Sequence, residues 1–191
     1  SSTCPSESRP RVSSSAASQP SASPAPFASP LAAELADDAL ARFLRYVRID
    51  TQAAYGSTTY PSTAKQLDLS RLLLEALLGL GLEDAVLDEH GYVFATLPGT
   101  AEAPTVGLMA HVDTSPDAPG TGVQPLVHRA WDGSPIVLPG NPSQVLEPAE
   151  SPELAVRAGH DIVTSDGTTL LGADDKAVVA AIMAAAAYLV S

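Results

Sequence analysis

The chain has 191 residues, enough for one globular domain with a hydrophobic core or for part of a larger one. Its formal net charge of -12 argues against a nucleic-acid-binding protein, because phosphate contacts need clustered lysine and arginine. It has no apolar run of about 18 residues that would span a membrane, so the composition predicts a soluble protein. The single cysteine, Cys4, excludes an internal disulfide and a thiolate zinc site, so any bound metal must rely on imidazole and carboxylate groups.

The N-terminal segment, residues 1–28, is dominated by serine, proline and alanine and has neither helical nor strand periodicity. This composition predicts a disordered tail ahead of a folded part at 29–191. The sequence begins with Ser1 and stops at Ser191 directly after an alanine-rich run, which we interpret as the sign of an incomplete sequence.

Helical signals come next along the chain. Ser29-Pro30 reads as an N-cap followed by proline at the first helical position, and apolar residues at helical spacing predict a helix over about 30–48. Thr63 with Gln66 three residues later matches a capping box, which predicts a second helix closed by glycines from Gly79 onward.

Strand signals follow the second helix. Residues 85–88 and 92–97 flank a glycine-containing turn and predict a hairpin. Residues 105–110 are apolar without polar alternation, which predicts a strand buried on both faces. Residues 161–164 and 169–171 predict a second hairpin, and an alanine-rich helix is expected from 175 to about 189.

These elements together predict an α/β fold, a layered sheet with helices on both faces. A long excursion over residues 114–158 has little regular pattern. Loops of this length usually line a site or contact another domain.

His111 and Asp113 stand where the apolar run 105–110 ends. Side chains two apart in a strand share a face, so the two groups point the same way. An aspartate on one ring nitrogen fixes the tautomer of an imidazole that binds a metal through the other. The pair is compatible with three roles, namely a metal ligand and the carboxylate that orients it, an acid/base pair, or a solvated loop end. The spacing of the two residues does not distinguish among these roles.

A second group of acids lies in the sequence LLGADDK at residues 170–176. Asp174 follows a predicted strand, where open α/β sheets place their sites, whereas Asp175 is equally well explained as a helix N-cap. Asp174 and His111 are therefore candidates to converge on one ion. His90 lies in a turn and has a weaker claim.

Two segments resemble the peptidase T family, the tripeptide aminopeptidases among the dizinc exopeptidases. They are AHVDTSPD at 110–117 and TSDGTTLLGADDKA at 164–177, and the likeness runs in order from about residue 40 to 189. The resemblance implies that residues 29–191 are the N-terminal part of a zinc exopeptidase catalytic domain. The rest of that domain and the family's lid domain are then absent.

The same resemblance implies roles for individual residues. His111 would bind one zinc, Asp174 would bridge two, and Asp113 would be the catalytic aspartate that orients His111. A complete site would hold two Zn²⁺ ions, and a cis peptide is expected between Asp174 and Asp175. The implied reaction is metal-assisted hydrolysis that removes the N-terminal residue of a tripeptide.

The resemblance also has departures. Val178 stands where the family usually has glycine after Asp-Asp-Lys-Ala. The family's glutamate pair and further ligands would lie beyond Ser191, so we expect this chain alone to be inactive and to bind zinc weakly.

The implied partner is a small peptide, with no nucleic acid and no membrane, and the implied location is cytoplasmic. A homodimer through the lid domain is compatible with the resemblance for the full-length enzyme. Two other interpretations stay open, a related dizinc dipeptidase, carboxypeptidase or deacylase, and a metal-free scaffold.

Overall fold

The computed structural model describes residues 26–191, so the tail predicted over 1–28 lies outside it except for the last three residues. The elements, in chain order, are α1 (Pro30–Tyr46), α2 (Gln66–Gly79), β1 (Val86–Leu87), β2 (Val93–Phe94), β3 (Leu126–His128), β4 (Ile136–Val137), β5 (Val145–Leu146), a 3₁₀ turn (Pro148–Glu150), α3 (Pro152–Ala155), β6 (Ile162–Thr164) and α4 (Ala173–Leu189). Helices and strands are both present, as the predicted α/β class requires. Within residues 26–191 no helix is both long and apolar enough to cross a membrane.

The sequence predicts the N-cap of α1 correctly and that of α2 incorrectly. Ser29 caps α1 as expected, because its hydroxyl oxygen accepts a hydrogen bond from the backbone N–H of Ala32 at 3.1 Å. The capping box at the start of α2 is wrong. Thr63 donates its hydroxyl to the Gln52 carbonyl at 2.7 Å instead, and the N-cap residue is Lys65, which makes no side-chain capping bond.

The main hydrophobic core lies among α1, α2 and α4. The buried residues of this cluster are Phe43, Tyr46, Val47, Leu69, Leu73, Val123, Val179, Ala180 and Met183. The alanines of α4 are small enough to let this helix lie close against α1. A second, smaller core around Trp131, Ile136 and Leu138 gives the long excursion its own packing.

The described strands, all within residues 26–191, form three two-stranded antiparallel sheets, β1 with β2, β3 with β6, and β4 with β5. The first is the hairpin predicted over residues 85–97, with Gly91 at a φ of 89° in its turn. The second predicted hairpin is wrong, because β6 pairs with β3 and residues 169–171 form no strand. Leu170 donates its N–H to the Pro119 carbonyl at 2.9 Å instead.

The strand predicted over residues 105–110 is not formed. This stretch has no regular secondary structure, and Val106, Leu108 and Met109 are 79%, 64% and 91% exposed. A strand needs a neighbour to pair its N–H and C=O groups, and the part of the chain from residue 26 onward provides none here. The predicted single layered sheet is therefore absent from the described residues, although the mixed helix and strand content remains.

A loop after α1, residues 49–53, is fixed by polar contacts. The Asp50 carboxylate accepts hydrogen bonds from Thr121 Oγ1 at 2.6 Å, from the Gln52 N–H at 2.9 Å and from Lys65 Nζ at 3.0 Å. Burial tends to raise the pKa of Asp50, but these hydrogen bonds, led by that of Thr121, hold the pKa below its ordinary value. The loop is thereby tied to α2 and to the chain around Thr121.

Leu69 should be a strong determinant of stability, since its side chain is fully buried among the helices. We expect Leu69→Ala to lower the free energy of unfolding by about 2–5 kcal/mol through lost burial and a residual cavity. Leu78 lies on the same helix and is 46% exposed, so Leu78→Ala should cost less than about 1 kcal/mol. Urea denaturation measures both, and equal losses would contradict the assigned core.

Asp50 should make the stability depend on pH. Its folded pKa is depressed, so its contribution is complete above its unfolded pKa of about 4 and is lost as the pH falls through the folded value. We expect Asp50→Asn to lower the free energy of unfolding at pH 7 by about 1–3 kcal/mol, because three hydrogen bonds to a charged group are weakened. The difference should shrink at about pH 3.

The control for Asp50 is Asp68→Asn, since Asp68 forms an exposed ion pair with Arg71 on α2. That substitution should cost less than about 1 kcal/mol at either pH. An Asp50→Asn penalty that stays the same between pH 7 and about pH 3 would argue against the loop contacts described above.

Candidate active site

His111 lies between two carboxylates that come from distant parts of the chain. Its Nε2 is 3.0 Å from Asp174 Oδ1, and its Nδ1 is 3.0 Å from Asp113 Oδ1. Its backbone N–H also donates to Asp175 Oδ2 at 3.3 Å. The structure thus brings together all three residues singled out in the sequence, across a separation of 63 positions.

The segment that carries His111 and Asp113 is anchored just after Asp113. Thr114 donates its N–H to the Thr51 carbonyl at 3.2 Å, and its own carbonyl accepts from the Ala53 N–H at 2.9 Å. These two bonds form a short parallel bridge between Thr114 and the loop of residues 49–53. This bridge, rather than a long strand, fixes the end of the segment at the site.

The start of α4 presents Asp174. Gly172 precedes the helix with a φ of 77°, and a side chain there would place its Cβ 3.0 Å from Thr114 Cγ2, so backbone strain and close packing both favour glycine. Asp174 and Asp175 have non-helical backbone angles, and the cis peptide expected between them is present. The regular turns of α4 therefore begin after Asp175, whose Oδ2 accepts a hydrogen bond from the His111 N–H of the opposite segment.

The residue at the family's glycine position causes no crowding among the described residues. Val178 is 45% exposed on α4, so its side chain has room beside the neighbouring elements.

The electrostatics of the cluster favour positive charge. Burial tends to lower the pKa of His111, but the hydrogen bond to Asp174 and the charge of Asp113 outweigh it and hold the pKa above its ordinary value. The side chains of His111 and Asp113 are about half exposed, and that of Asp174 is 95% exposed. The carboxylates that stabilise an imidazolium would also favour a divalent cation at the ring.

The donors fit zinc in kind and position. Zinc binds imidazole nitrogen and carboxylate oxygen at about 2.0–2.2 Å, so two groups that share an ion must lie within about 5 Å, and His111 Nε2 and Asp174 Oδ1 do. Asp113 on the other ring nitrogen matches the partner that orients a ligating histidine. Across residues 26–191 no set of three or more His, Cys, Asp or Glu groups is arranged to hold an ion, and a zinc site normally needs three or four protein donors.

Two residues next to the site were missed in the sequence. Thr114 forms the bridge to residues 49–53, and the buried Lys176 donates a hydrogen bond from Nζ to the Ile49 carbonyl at 2.7 Å. Neither residue is assigned a role from the sequence alone. The one sequence signal for Lys176 is a charge followed directly by an apolar, alanine-rich run, which indicates a buried helix face.

Comparison with known proteins identifies relatives, although no protein-family model matches the chain. Peptidase T of Geobacillus thermodenitrificans is 50% identical over 151 residues, and those of Alkaliphilus oremlandii and Bacillus licheniformis are each 49% identical, over 153 and 152 residues. Each alignment covers 78% of this chain and 37% of the relative. The resemblance drawn from two motifs is confirmed, and the chain belongs to the peptidase T family, spanning little more than a third of the length of these curated members.

Proposed function

We propose that this chain is part of a zinc-dependent aminopeptidase that releases the N-terminal residue from tripeptides. The observation that carries the proposal is the imidazole of His111 held between Asp113 and Asp174, in a chain related to proteins named Peptidase T. Three further parts of the proposal depend on that relationship alone. They are a peptide substrate, a cytoplasmic location and a homodimer of the full-length protein through a lid domain.

His111 and Asp174 would hold the zinc in this proposal. The hydrogen bond between Asp113 and Nδ1 orients the ring, so that Nε2 faces Asp174. Asp174 is almost fully exposed, which leaves its second oxygen open to a further ion and suits a bridging role. When bound, zinc lowers the pKa of a water molecule and polarises the scissile carbonyl.

We further propose that residues 29–191 are the N-terminal part of a zinc exopeptidase catalytic domain. The exposed apolar run at 105–110 supports this, because such a run is stable as a strand only when neighbours cover it. In the full-length protein this run would join the layered sheet predicted from the sequence.

Zinc binding by the chain should depend on His111. We expect weak binding, since only two donors converge, and His111→Ala should lower the affinity at least about tenfold. His90→Ala is the matched control, because His90 is an exposed turn residue beside Glu89. Isothermal titration with zinc measures both variants, and equal affinity of wild type and His111→Ala would contradict the proposed site.

Catalysis should need more than this chain. We expect the 191-residue chain with excess zinc not to release alanine from trialanine, because two donors do not complete a zinc site. In a full-length protein, the same assay should detect alanine release that His111→Ala reduces by more than about 100-fold. Turnover by the 191-residue chain would contradict the expected inactivity, and full-length activity on N-acylated amino acids alone would identify a deacylase instead.

A further inference from the structure

Lys176 is a buried charged residue that the proposed chemistry does not use. It lies two residues after Asp174, and its side chain is only 2% exposed. Burial lowers the pKa of this lysine to about 8, against the opposing charge of Asp50. A buried ammonium is retained only where hydrogen bonds and charges offset its loss of water.

The ammonium reaches across to the loop at 49–53. Lys176 Nζ donates a hydrogen bond to the Ile49 carbonyl at 2.7 Å, which joins positions 127 residues apart in sequence. This loop is itself held in place, because the Asp50 carboxylate accepts hydrogen bonds from Thr121 Oγ1 and Lys65 Nζ. Lys176 therefore connects the first turn of α4 to an anchored part of the chain.

The same loop also fixes the other half of the site. Thr114, directly after Asp113, exchanges backbone hydrogen bonds with Thr51 and Ala53. Gly172 lies where the two halves meet, since a Cβ on it would approach Thr114 Cγ2 at 3.0 Å and Lys176 Nζ at 3.8 Å. One loop thus sets the position of Asp113 through Thr114 and that of Asp174 through Lys176.

We propose that Lys176 is a positioning residue, whose buried hydrogen bond to the Ile49 carbonyl holds Asp174 within metal-sharing reach of His111. This inference rests on the proposed zinc site. Lys176 touches neither the ion nor the substrate in this scheme, and it acts only through Asp174. Its loss is therefore expected to weaken metal binding without removing a donor.

The test uses zinc as the probe on the 191-residue chain. Lys176→Met keeps the length and apolar stem of the side chain but removes the donor, and it should weaken zinc binding about tenfold, as losing a group that orients a metal ligand typically does. Val179→Ala is the control, since Val179 is buried on the same helix one turn further on and contributes to packing alone. It should leave the zinc affinity within about twofold, although it lowers the unfolding temperature.

If Lys176→Met does not fold by circular dichroism, Lys176→Gln replaces it, because its side chain is one bond shorter and its amide ends further from the Ile49 carbonyl than the 2.7 Å of Lys176 Nζ. Zinc affinity of the folded lysine variant within about twofold of wild type would overturn the positioning role, and so would an equal loss in Val179→Ala. Each of these results leaves a His111-dependent zinc site intact. Zinc binding that His111→Ala does not alter would instead overturn the proposed function, and this inference with it.

Discussion

The candidate site of this protein is built around one imidazole that lies between two carboxylates, one at each ring nitrogen. Asp113 comes from the same segment as His111, whereas Asp174 comes from the start of α4 and must be brought there by the fold. The packing of α4 against α1 brings Asp174 towards the segment that carries His111. The loop of residues 49–53, which follows α1, forms hydrogen bonds with Thr114 of that segment and with Lys176 of α4. Coulomb attraction alone would not hold such exposed groups together, so the geometry comes from the buried scaffold beneath them.

The sequence predicted what depends on local physics. The start of α1 at Ser29 followed from a capping residue ahead of an amphipathic pattern, and the hairpin around Gly91 followed from turn chemistry. The convergence of His111 and Asp174 was expected from a family resemblance and from the ends of two strands, neither of which is formed in the described residues. These features are encoded within a few residues, or in motifs long enough to be specific.

Apart from the capping box at the start of α2, the failures involve partners distant in sequence. Residues 105–110 have the composition of a buried strand, but composition does not reveal which strand lies alongside. β6 pairs with β3, on the other side of the long excursion. The turn-like sequence at residues 165–168 had instead suggested a hairpin between residues 161–164 and 169–171. Lys176 was not singled out in the sequence, because burial two residues beyond an acidic pair is a property of the tertiary structure.

The described residues bring an imidazole and a carboxylate, the two proposed zinc donors, together beside an exposed apolar run, in a chain that spans little more than a third of the length of its curated relatives. The most direct test of a shared ion is anomalous diffraction at the zinc absorption edge from crystals of the chain soaked with zinc. If the two side chains share one ion, we expect an anomalous peak about 2.0–2.2 Å from both His111 Nε2 and Asp174 Oδ1. A peak bound elsewhere, with the two side chains turned apart, would contradict it.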